Sequence, residues 1–215
     1  MAEAKNAMSP MRLFIYLMAF TSGAGVMTTE MLGGRIFAPY FGGSIYIWGS
    51  IITVFLVALS IGYLVGGHFS TRDPSLRRYG LLFIAAASSL VPVIWFADPL
   101  INLTFHVTED PRYGSLLACL MLFFIPGVIM GMISPYSIRL LVRDSHGSGH
   151  TAGILYFAST LGSAIGTLGT SFYFVLYFEV NQILITTMAC LMIPGIGCTL
   201  SQWKPDAHNQ TSSDS

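Results

Sequence analysis

The sequence predicts an all-α, polytopic membrane helix bundle of about six transmembrane helices, and three observations carry that prediction. Of 215 residues, 53% are hydrophobic and only 9% charged, with mean hydropathy +0.67. An ordinary soluble domain carries about 25% charged residues, so this surface is not built for water. Apolar runs of the length a bilayer requires, about 20 residues for a ~30 Å hydrocarbon layer, occur at 12–32, 45–67, 79–97, 114–138, 151–177 and 181–201. The basic residues fall on alternate connections. Lys5, Arg12, Arg72, Arg77, Arg78, Arg139, Arg143 and Lys204 share one side and only Arg35 and Arg112 the other, which predicts cytoplasmic N- and C-termini.

Composition also excludes functions. A formal net charge of zero gives no reason to expect a nucleic-acid partner; the bilayer is the expected one, at the cell (inner) membrane. Cys119, Cys190 and Cys198 all fall in apolar segments without CxxC spacing, so neither a disulfide framework nor a zinc site is expected. The first apolar run is as long as a full span and is followed by others, unlike a cleaved secretory signal.

The first span, 12–32, carries the most informative pair, Glu30 and Arg35, towards its far end. Gly33 and Gly34 are expected to end this helix, with 33–44 folding back along the outer interface. Charges near membrane depth pair or serve a site. One reading is an ion pair that pins the connection to the bundle; the other is a site for a cationic or zwitterionic ligand, or a proton-coupled carboxylate.

The second span ends on GYLVGGHFSTRDPSLRR, where Gly62, Gly66 and Gly67 suit a tight cytoplasmic turn and Arg72, Asp73, Arg77 and Arg78 can bridge neighbouring helix ends. This partly resembles the loop after the second helix of major-facilitator transporters, Gly-x-x-x-Asp-Arg-x-Gly-Arg-Arg, although Gly66 or Gly67 stands at the central acidic position. Positive-inside topology accounts for the arginines equally well.

The exterior segment 98–113 reads as a solvated acidic loop with Asp98, His106, Glu109 and Asp110, and Asn102-Leu-Thr104 matches a glycosylation acceptor. Span four holds Gly127 and Gly131 and exits through Arg139 and Arg143; span five holds Gly153, Gly162, Gly166 and Gly169. Small residues at this spacing let helices approach closely in lipid, within one chain or between chains. Pro126, Pro135 and Pro194 lie in or beside spans, where a freed carbonyl marks a kink or hinge. Asp144, His146 and His150 crowd the loop after span four without a further ligand, so no metal is expected; the Gly-Ser-Gly at 147–149 follows no strand and is no nucleotide loop. Residues 1–201 form the membrane domain, and 202–215 reads as a polar, disordered cytoplasmic tail.

The ordered set SGAGVMTTEMLGGR (22–35), FGGSIYIW (41–48), GYLVGGHFSTR (62–72), GMISPYSIRLL (131–141) and GILYFASTLGSAIGTLGTSF (153–172) resembles the membrane region of the bacterial spermidine-synthase-like proteins. The resemblance implies a major-facilitator-like half, which in that family is fused to a Rossmann-like aminopropyltransferase domain. No such domain follows span six here, so the family's catalytic residues have no positions to be carried onto. No Ser/His/Asp set or paired intramembrane carboxylates stand out either, so neither enzymatic activity nor a cofactor is expected. Two roles follow. One is a small transporter or ligand-binding membrane protein for a small solute, of polyamine type by analogy with the family and active as a homodimer. The other is a non-catalytic subunit that anchors, assembles or regulates a partner enzyme or a larger membrane complex.

Overall fold

A computed structural model describes residues 10–71, 74–108, 110–142 and 148–201. These residues are helical almost throughout: α1 (Pro10–Phe41), α2 (Ile45–Ser70), α3 (Leu76–Ser89), α4 (Val91–Trp95), α5 (Ala97–Val107), α6 (Pro111–Leu141), α7 (Ser148–Gly169), a π-helical turn (Thr170–Phe174), α8 (Val175–Tyr177) and α9 (Val180–Leu200). Six helical stretches are long and apolar enough to cross a membrane, with α3 and α4 together forming the third and α7 to α8 the fifth. The protein is an integral membrane helix bundle.

Two expectations about helix ends are corrected. Gly33 and Gly34 do not stop α1, which continues to Phe41. They lie at helix crossings: a Cβ on Gly33 would sit 3.3 Å from the Phe123 ring, and one on Gly34 2.9 Å from Trp48. The helix stops at Gly42, whose φ of +78° supplies the left-handed residue of a C-terminal cap, with its N–H donating to the Ala38 carbonyl at 3.0 Å. Likewise Gly62, Gly66 and Gly67 lie inside α2, not in a turn.

The segment 98–113 is not simply a solvated loop either, because it contains α5. Ile101 and Thr104 are buried and Phe41 stacks on Phe105 at 5.2 Å. Within Asn102-Leu-Thr104, Asn102 is exposed, whereas Thr104 is 0% exposed and donates its hydroxyl to the Ile101 carbonyl. Asp110 caps α6, accepting the Arg112 N–H at 2.9 Å.

The strongest packing joins α2 to α6, α1 to α7 and α3 to α9, with further contact of α1 with α2, α6 and α9, of α6 with α7, and of α3 with α6. Exchanging the first three spans for the last three maps this pattern onto itself. The α2/α6 pair becomes α7/α1, α1/α2 becomes α6/α7, α3/α6 becomes α9/α1, and α3/α9 and α1/α6 return to themselves.

The correspondence holds residue by residue. Leu59, Gly62 and Gly66 of α2 meet Gly131, Val128 and Met132 of α6; Ser159, Gly162 and Gly166 of α7 meet Gly23, Phe20 and Ala24 of α1, with the same spacing in both. Since each unit has an odd number of spans, the second runs in the opposite sense to the first, which is the arrangement of an inverted repeat.

Lipid tails are as apolar as leucine, so helices associate through close packing and buried hydrogen bonds. Both are present. Phe123 of α6 packs edge-on to Phe37 at 5.8 Å and against Phe55 at 5.6 Å. Ser50 and Ser115 hydrogen-bond across α2 and α6. At the Arg78 end, Tyr79 and Tyr136 are both 0% exposed and stack at 5.8 Å. The Tyr79 hydroxyl pairs with that of Ser137 at 2.7 Å, while the Tyr136 hydroxyl accepts the Ser75 N–H at 3.0 Å and donates to the Ser75 carbonyl at 3.2 Å. One phenol thereby ties the α2–α3 connection to α6.

Candidate functional site

The inverted arrangement leaves α7 and α9 side by side on α1, and between them is a chamber of about 540 Å³. Small-molecule sites span about 300–1,000 Å³ and are mostly apolar with a few placed polar groups. The chamber runs from Phe20 to Thr28 along α1, from Ile165 to Phe174 on the fifth span, and from Phe178 past Gln182 to Cys190 at α9. It therefore extends from the middle of the bundle towards the Arg35 end.

Its wall includes the π-helical turn, a distortion frequent at functional sites. Thr170 in that turn is buried and donates to the Thr28 hydroxyl at 3.1 Å, which fixes the wider turn to α1. Gly169, just before it, faces the Phe174 ring at 3.2 Å rather than another helix.

The polar lining has a definite sense. Thr21, Thr186 and Thr187 donate their hydroxyls to the carbonyls of Leu17, Gln182 and Ile183 at 2.8–2.9 Å. That leaves their oxygens as acceptors. Gln182 accepts the Glu179 N–H with its amide oxygen in a capping box, so its NH₂ is the donor still available. Pro194 removes the helical donor to the carbonyl of Cys190, adding a further acceptor at a lining residue. The chamber is thus an apolar space with several neutral acceptors and two donors, the Gln182 amide and the hydroxyl of Thr28, whose oxygen accepts from Thr170.

Glu30 and Arg35 are not brought together. No ion pair or hydrogen bond joins them, because five residues along a helix place two side chains on different faces. Glu30 is 8% exposed and, among the described residues, has no hydrogen-bond or ion-pair partner. By helical geometry it lies opposite the chamber-lining stripe of α1, on the side where Gly33 and Phe37 pack on α6. Arg35 instead donates from Nη2 to the Val175 carbonyl at 2.9 Å, tying α1 to the end of the fifth span. The ion-pair reading is corrected accordingly.

Arg35 also lines a second pocket of about 250 Å³ at the same end, with Tyr40, Trp95, Asp98 and the first turn of α9. Tyr40 donates to Asp98 Oδ1 at 2.7 Å.

The remaining sequence candidates separate into groups. Gly62, Gly66, Gly131, Gly162 and Gly166 meet the backbone of a facing helix, and Gly127 meets Ala58 at 2.8 Å. Gly153 and Gly67 have open space where a side chain would be, so Gly153 packs against no helix. Arg77 is exposed, whereas Arg78 is half-buried and its N–H is capped by Ser75. Arg72, Asp73, Glu109, Arg143, Asp144, His146 and the tail 202–215 lie outside the described residues. Among the described residues no cluster of three His, Cys, Asp or Glu side chains comes together.

Sequence reasoning passed over Gln182, Thr186 and Thr187. The signal was there: three hydrogen-bonding side chains at i, i+4 and i+5 in an otherwise apolar span share one helix face.

No family model, curated protein or solved structure matches this chain. The resemblance to the spermidine-synthase-like membrane region therefore rests on its motif residues alone.

Proposed function

We propose that this protein is a small transporter or ligand-binding membrane protein whose solute occupies the chamber between α1, α7 and α9. The observation that carries this reading is the chamber itself: an apolar volume of about 540 Å³ with an ordered set of polar groups, placed at a π-helical turn. The inverted relationship between the two three-span units supports transport, since such units are the moving parts of many transporters and bind solute near the membrane midplane where they meet. The basic residues favour cytoplasmic termini, and with that orientation the chamber lies in the exterior half of the bundle.

The lining also narrows the solute. Thr21, Thr186 and Thr187 present neutral acceptors, and no carboxylate lines the chamber. A single hydroxyl or ammonium group on an apolar body fits that lining. A polyamine, with several charges to desolvate, fits it poorly. Neither histidine nor carboxylate stands beside the Cys190 thiol in the lining, which favours binding over catalysis.

Reconstitution into proteoliposomes with a dansylated alkylamine as probe tests the proposal. The expected result is saturable, chamber-dependent fluorescence or uptake that is lost in Cys190→Phe, which fills the chamber from α9. Wild-type protein that neither binds nor moves any such probe, and that purifies from its native membrane only within a stable hetero-complex, would favour the anchoring-subunit role instead.

A further inference from the structure

The second pocket has a composition the chamber lacks. Arg35 and Asp98 line the same space of about 250 Å³ without forming an ion pair with each other. Arg35 spends Nη2 on the Val175 carbonyl and is otherwise exposed; Asp98 holds the Tyr40 hydroxyl with Oδ1, leaving Oδ2. Opposite charges held apart in one concavity are each incompletely satisfied, and a ligand carrying both signs can bridge them.

Three further features set the ligand's nature. Val180 and Asn181, also in the lining, are the first residues of α9, whose first-turn N–H groups have no intrahelical acceptor and favour an anion beside Arg35. The N-cap carboxylate of Glu179 is engaged by the Gln182 backbone N–H in the capping box and is not in the lining. Exposed Trp95 lines the pocket together with Asp98, and an indole beside a carboxylate suits a cation.

The pocket lies at the ends of the first and third spans and the start of the sixth, the depth at which a spanning bundle meets the headgroups. Exposed Trp95 lines it, and exposed Phe96 and Tyr46 lie within a few residues of its lining in the chain. Tryptophan and tyrosine concentrate at that depth in membrane proteins.

We infer that this pocket binds a zwitterion carrying a phosphate and a primary ammonium, the phosphate on Arg35 and the α9 N-terminus and the ammonium on Asp98. A phosphatidylethanolamine headgroup and free phosphoethanolamine share this chemistry. The site is separate from the chamber and does not depend on the solute proposed for it.

Native mass spectrometry of the protein exchanged into an equimolar mixture of phosphatidylethanolamine, phosphatidylcholine and phosphatidylglycerol reads the proposal directly. Wild type is expected to retain phosphatidylethanolamine over either competitor by about tenfold, the worth of one charge-assisted contact. Asp98→Asn should remove the preference over phosphatidylglycerol, and Arg35→Gln should reduce retention of all three. Tyr40→Phe, which keeps both charges, should keep the ethanolamine preference and shows that the pocket still forms.

Displacement of retained lipid by millimolar phosphoethanolamine would support a free zwitterion as the natural ligand; retention despite it would support the lipid headgroup. Equal retention of the three lipids, or an unchanged preference in Asp98→Asn, overturns the inference.

Discussion

The Cβ position of Gly62 falls on the Val128 carbonyl of α6, and that of Gly162 falls on the Phe20 carbonyl of α1. The two glycines occupy equivalent places in the two interfaces that hold the bundle together, α2 on α6 and α7 on α1. Each is followed four residues later by a second glycine that also meets backbone. The three-span units are therefore joined by two copies of one contact, formed in opposite senses.

A prediction follows for each copy. Gly62→Ala and Gly162→Ala should each destabilise the fold by about 1–3 kcal/mol, because the added carbon meets backbone that cannot turn away. Because the two interfaces are distinct, the double variant should equal the sum of the singles within about 0.5 kcal/mol. Gly153→Ala is the internal control: nothing lies within 4 Å of its added carbon, so it should stabilise α7 by about 0.5–1 kcal/mol. Reversible unfolding in mixed micelles reads all four, and a neutral Gly62→Ala would refute the close contact.

The Arg78 end should depend on one phenol more than on its neighbour. Tyr136→Phe strands the Ser75 N–H, while the Ser75 carbonyl keeps the Tyr79 N–H as donor, and should cost about 1–3 kcal/mol. Tyr79→Phe leaves Ser137 still donating to the Ile133 carbonyl and should cost about 1 kcal/mol or less. Unfolding of the two variants side by side tests the order; the reverse order would remove Tyr136 as the tie between the α2–α3 connection and α6.

Chamber access has a built-in reporter. Cys190 is exposed and lines the chamber, whereas Cys119 and Cys198 are buried, the latter with its sulfur 3.4 Å from that of Met18. A membrane-permeant maleimide should label one thiol per folded chain, and Cys190→Ala should abolish the labelling. An amphipathic amine that occupies the chamber should slow the reaction. Labelling at Cys119 or Cys198 at a comparable rate would show that the helices part more widely than the packing allows.

These expectations mark what the sequence could and could not convey. Span number and type were legible because a helix of about 20 apolar residues is a local property. The expected end of α1 at Gly33 and Gly34 fails because glycine stops helices in water, whereas these two make room for Phe123 and Trp48, a use that only the packed partner reveals. The expectation of a loop over 98–113 fails because Asp98, His106 and the acidic residues after it outweigh Ile101 and Thr104, whose i, i+3 spacing marks the buried face of α5, with Phe105 beside them stacked on Phe41. The chamber was illegible for a different reason. Its walls come from α1, α7 and α9, and nothing local says that two helices share a third as their floor. The motifs Gly62-x-x-x-Gly66 and Gly162-x-x-x-Gly166 were visible individually, but their equivalence emerges only from what each one touches.

Glu30 and Arg35 supply the last prediction. They are close in sequence, opposite in charge and unpaired in the fold, so they should behave as independent sites. Arg35→Gln forfeits the bond to the Val175 carbonyl and should cost about 1 kcal/mol. Glu30→Gln should act in the other direction. A carboxyl group buried without a cation either bears the cost of desolvation or gives up its charge to a proton, and a neutral amide of the same shape removes that cost, so the variant should gain up to about 1 kcal/mol in thermal unfolding. The double variant should then show a coupling below about 0.5 kcal/mol, where a buried ion pair would show several. If Glu30 also moves a proton during transport, Glu30→Gln will be the more stable protein yet lose proton-gradient-driven uptake of the alkylamine probe while still binding it. A strong coupling energy in the cycle would restore the ion pair and place both residues in one structural role.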